Sequence, residues 1–167
     1  MKKYFKFAAV ISVLLTVCLF CGCSFFSGLG AAQEKEFSKA GMSITLTDDF
    51  TEQDIVSQTA VYASAKHIVM ALKEEYALFE EIGDSLSLQE YAQLVCQNND
   101  LTADIEEKDG LVCFEYENEA NGRDFAYFAV VQKGTDAYWL FQFSCDSSNY
   151  EDSKEQFIDW AKTIRFE

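Results

Sequence analysis

Two dipeptides constrain this chain more than any other feature: Asp109-Gly110 and Asn121-Gly122, each set between apolar runs. Turns of this kind join neighbouring segments through two residues, so the flanking strands must return antiparallel. A parallel return would need a crossover of a dozen residues or more. Ala103 to Glu107 and Leu111 to Glu117 flank the first turn, and Arg123 to Gln132 follows the second. Gly134 marks another turn before Ala137 to Cys145. Upstream, Met42, Ile44 and Leu46 alternate with Ser43, Thr45 and Thr47 behind Gly41, a strand with one buried face that Asp48-Asp49 ends. Thr59 to Ser64 and His67 to Leu72 are placed to form a hairpin around Ala65-Lys66.

Helical signals separate and close these strands. Ser87 followed by Glu90 makes a capping box, Leu86 and Tyr91 are spaced for a hydrophobic staple, and Leu88, Tyr91, Ala92 and Val95 form one apolar stripe. The terminal helix is expected to be capped by Ser148 and Glu151, with Phe157, Trp160, Ala161 and Ile164 on one face. Phe125, Tyr127, Phe128, Tyr138, Trp139, Phe141 and Phe143 fill both faces of two neighbouring strands, which implies that both faces are covered. The expected fold class is α+β, a twisted antiparallel β-sheet flanked by helices. A groove between sheet and helix could take an apolar ligand or a partner peptide.

The amino terminus adds an address. Lys2, Lys3 and Lys6 are the only charges before Glu34, and Phe7 to Phe20 is almost wholly apolar, shorter than the ~20 residues a membrane-spanning helix needs. Leu19-Phe20-Cys21-Gly22-Cys23-Ser24 follows, and it resembles the lipobox of bacterial lipoproteins. That resemblance makes residues 1–22 a signal peptide and Cys23 the lipidated, palmitate-bearing amino terminus. Only a thiolate is a good nucleophile for the lipid donor at neutral pH. The other readings are an ordinary cleaved signal or an uncleaved anchor continuing to Ala32. Residues 23–35, with Ser27, Gly28, Gly30, Ala31 and Ala32, read as a flexible tether, and 36–167 as a single domain. Losing residues 1–22 removes three lysines and no acid, leaving 10 basic and 28 acidic side chains, a net −18. Such a body is no nucleic-acid binder, whose footprint is basic. Localisation is expected on the extracytoplasmic face of the cell membrane.

Phe37, Gly41-Met42-Ser43-Ile44-Thr45-Leu46, the Ser87-Leu88-Gln89-Glu90-Tyr91 helix start, the Asn121-Gly122 hairpin and the terminal Phe157-Ile158-Asp159-Trp160-Ala161-Lys162-Thr163-Ile164 helix together resemble the PsbP-like or DcrB-like group. The resemblance covers Glu36 to Phe166. It implies an α-β-α sandwich around an antiparallel sheet and a mostly non-catalytic role, as in photosystem accessory proteins and envelope lipoproteins. It brings no catalytic motif with it.

Chemistry is sparse. His67 is the only histidine, so every role needing a group that titrates near neutrality falls to it. A hydrolase built on His67 with Cys96, Cys113 or Cys145 as nucleophile, or on a carboxylate pair, is the rival to a binding module. No Gly-rich phosphate loop or HExxH pattern occurs, and no CxxC follows Cys23, so neither cofactor nor metal is expected. Glu117, Glu119 and Asn121-Gly122 imitate the start of a calcium loop, but the twelfth position is Phe128 instead of a bidentate Glu. Glu74-Glu75, Glu80-Glu81 and Glu106-Glu107 are expected to form solvated faces. Cys96, Cys113 and Cys145 allow one disulfide in three pairings, or three buried thiols. The remaining partners are the membrane, through the anchor, and an envelope protein or apolar ligand.

Overall fold

The computed structural model describes residues 32–79 and 81–167. The expected signal peptide, the expected lipidation site Cys23 and most of the expected tether lie outside the described residues. Strands β1 (Glu34–Lys39) and β2 (Met42–Thr47) form a hairpin, and the short β10 (Arg165–Phe166) adds to the other edge of β2. The second sheet runs β3 (Thr51–Gln53), β4 (Ala60–Ala63), β5 (Ile68–Glu75), β9 (Ala137–Asp146), β8 (Arg123–Lys133), β7 (Leu111–Ala120) and β6 (Glu106–Lys108), antiparallel throughout. Helix α1 (Leu88–Asn98) follows β5, and α2 (Tyr150–Lys162) follows β9.

The period of two along β8 shows how the layers are built. Ala126, Phe128 and Val130 face one apolar core together with Phe157, Trp160 and Ala161 of α2 and Met42, Ile44 and Leu46 of β2. Phe125, Tyr127, Ala129 and Val131 face the other, with Tyr91, Ala92 and Val95 of α1. The seven aromatic side chains of β8 and β9 are all buried, divided between the two cores. The helices therefore cover opposite faces of the long strands, and no charged side chain is needed on either face of β8 between Ala126 and Val131.

Both sequence turns close hairpins, with Asp109 and Gly110 at φ 54° and 78° and Asn121 and Gly122 at 54° and 74°. The capping box of α1 is complete: the Glu90 amide donates to Ser87 Oγ at 3.2 Å, and the Ser87 amide to Glu90 Oε2 at 2.8 Å.

Two expectations require correction. Glu34 and Lys35, read as the end of the tether, already belong to β1; this edge strand buries only Phe37, so its sequence carries no alternating signal. The box at Ser148 does not form. Ser147–Asn149 makes a 3-10 turn, the N-cap is Asn149 without a side-chain bond, and Glu151 falls at the second helical position instead of the third.

Candidate functional site

His67 sits at the start of β5, half buried against α2, with its ring edge-to-face on Phe157 and Trp160 at centroid distances of 5.4 Å each. Its Nε2 lies 3.1 Å from Ser153 Oγ, and Ser153 Oγ donates to the Asn149 carbonyl at 2.8 Å. A carbonyl only accepts and a hydroxyl has one proton. With the Ser153 proton on the Asn149 carbonyl, the His67 tautomer that completes the pair carries its proton on Nε2. In that tautomer the pair runs opposite to a serine-histidine nucleophile, where an unprotonated imidazole nitrogen takes the hydroxyl proton. Burial lowers the pKa of His67.

Cys96, Cys113 and Cys145 are all buried free thiols. Cys96 faces the α1 core, whereas Cys113 and Cys145 face the α2 core. Cys113 and Cys145 are separated by the whole of β8, with Cys113 opposite Val130 and Cys145 opposite Ala126. Two strand spacings come to ~9.5 Å, beyond the ~7 Å Cα separation a disulfide can bridge. Burial raises all three thiol pKa values, the opposite of nucleophile activation.

Among the acidic pairs, Glu75, Glu81, Glu106 and Glu107 are exposed, but Glu74 is not. It is 5% exposed and accepts a 2.5 Å hydrogen bond from Tyr91 of α1. Burial raises its pKa, with the Tyr91 bond pulling the other way. The expectation of a solvated face fails here because β5 runs on past Leu72 and its period of two carries Met70, Leu72 and Glu74 to the α1 side. Phe128, at the decisive position of the calcium-loop imitation, is buried in β8, and Glu117 and Glu119 lie on the paired arm β7.

One concavity lies away from all of these groups. An open groove of about 500 Å³ runs between the C-terminal end of α2, the β6–β7 turn and the ends of β7 and β8. Leu111, Val131, Ile164 and Phe166 line it, together with Lys133, Lys162, Arg165 and Asp109. Lys162 reaches Asp109 only at 3.7 Å. Arg165 Nη1 donates to the Lys162 and Ile164 carbonyls at 2.8 and 2.7 Å. Lys133 donates to the Asp84 carbonyl and lies over the rings of Tyr76 and Tyr138. Among the described residues, neither Lys133 nor Arg165 forms an ion pair. Sequence reading missed this group, since its members come from three separate segments and meet only when β10 docks on β2.

No family model matches the chain, and no curated protein matches it. Its fold does have solved counterparts. The solution structure of cyanobacterial PsbP (CyanoP) from Synechocystis sp. PCC 6803 superposes with a TM-score of 0.56 at 14% identity, covering 86% of this chain and 98% of that one. The fold is PsbP-like. A crystal structure from Bacteroides thetaiotaomicron VPI-5482 matches at TM-score 0.52 and 13% identity, over 81% of this chain and 49% of that one. At such identities the likeness concerns architecture alone, and the site residues stand on the geometry above.

Proposed function

We propose that this protein is a lipid-anchored, extracytoplasmic, non-catalytic binding or interaction module, an envelope accessory protein of the PsbP-like or DcrB-like lipoprotein type with an α-β-α sandwich body. The observation that carries the reading is the setting of His67. The only histidine is half buried, edge-to-face on Phe157 and Trp160, its Nε2 beside a Ser153 hydroxyl that donates to the Asn149 carbonyl, and neither residue lines the groove. The leader ending in Gly22-Cys23 supports the anchor. Two or more acyl chains on one residue hold a protein stably on a bilayer, at ~0.8 kcal/mol per buried CH₂. A groove remote from His67 supports binding as the task.

The test is Cys23→Ala in cells. Release of the protein from the membrane fraction, or accumulation of an uncleaved precursor, is expected. Unchanged membrane association with normal processing would refute the anchor.

A further inference from the structure

We propose that the groove bounded by Lys133, Lys162 and Arg165 docks an acidic segment of a partner protein, one that also inserts apolar side chains. The inference rests on the tethered-module reading only for its direction in space. The chain enters the domain at Gln33, whose carbonyl accepts from the Asp48 amide. β1 then runs to the Ala40-Gly41 turn, ~20 Å away at ~3.3 Å per residue. β10, which lines the groove, pairs with Ser43 and Met42 at that far end of β2. Residues 24–33 would add at most ~35 Å of reach. The groove is therefore carried on the end of the domain opposite the tether, turned from the bilayer toward other envelope proteins.

Charge selects the partner. The mature chain has 28 acids and 10 bases, yet the groove gathers three cations and one carboxylate. Backbone carbonyls position Lys133 and Arg165, with aromatic rings beside Lys133, and among the described residues neither is in an ion pair. Between them Leu111, Ile164 and Phe166 offer an apolar floor. The register of β7 with β8 stops at Val112↔Val131, while β8 continues through Gln132 and Lys133 paired to β9 alone.

The experiment uses the full chain in phosphatidylcholine nanodiscs and a fluorescein-labelled peptide alternating Glu with Val and Leu, read by anisotropy. Saturable binding is expected. It should weaken about tenfold in the Lys133→Gln/Arg165→Gln double variant and also between about 50 and 300 mM salt, where the screening length shrinks. Lys66→Gln, near the tether end, should leave it unchanged. Circular dichroism checks that the variants fold, and the salt dependence of the unaltered chain stands even if they do not. Absence of binding, equal binding of the peptide with Lys in place of Glu, indifference to the double variant, or full displacement by octanoate or phosphate would overturn the proposal. Cys23→Ala should bind equally, so a failed anchor and a failed groove give different results.

Discussion

Glu74 is the residue whose environment differs most from what its neighbours in sequence suggest. Buried beside Tyr91, its carboxyl is held above its ordinary value near 4.5, mainly by desolvation. The folded state therefore binds this proton more tightly than the unfolded state. Below the ordinary value both states are protonated and the group is neutral to stability. As pH rises past it, the unfolded chain ionises first, and stability falls until the folded carboxyl also loses its proton. Glu74→Gln keeps an acceptor for the Tyr91 hydroxyl and removes the titration. In thermal melts the Gln variant should gain on the unaltered protein steadily from pH 4.5 upward; parallel curves would contradict the assignment. His67 acts on the other side: with its pKa lowered by burial, stability is complete above the ordinary value of 6.5 and declines as pH falls below it. The sequence made His67 the one candidate histidine, but its contacts with Ser153, Phe157 and Trp160 appear only in the fold. Glu74 could have been caught by extending the strand's alternation two residues beyond Leu72.

Among the elements, the best-read ones have local causes. The Asn121-Gly122 and Asp109-Gly110 hairpins and the α1 capping box are written in adjacent residues, and they form as expected. The β1–β2 hairpin is the counter-example. Its turn puts Ala40 at φ 56° ahead of Gly41 at 84°, a pairing that no Asn or Asp announces. An ordinary side chain with a Cβ costs roughly 1–2 kcal/mol in the left-handed region, a cost that Asn largely avoids through its local hydrogen bonds. Ala40→Asn is thus expected to stabilise the domain by about 0.5–1 kcal/mol in denaturant titration, with an unchanged slope; a loss of stability would contradict the turn described here. β3 and β10, of three and two residues, carry too few side chains for any period to register. β10 is nonetheless what closes the groove, which is why the binding surface could not be foreseen from motifs.

At the scale of the whole molecule, the two apolar faces of the central strands foretold helices on both sides, because no chain leaves that much aromatic surface in water. What composition could not foretell is the placement of charge. From residue 23 onward the chain has 28 acids against 10 bases, yet it concentrates three cations on the end remote from Gln33, where the described chain enters the first sheet. That arrangement depends on strand order, and strand order depends on contacts far apart in sequence. In the proposed reading, the tether, the half-buried histidine and the distal groove belong to one object: an acidic globule held to a membrane and presenting a binding end outward. Intact-mass spectrometry of the protein extracted from membranes tests this most directly. A chain beginning at Cys23 and carrying a diacylglyceryl mass is the expected result, whereas an unacylated chain with its first residue elsewhere would contradict the account.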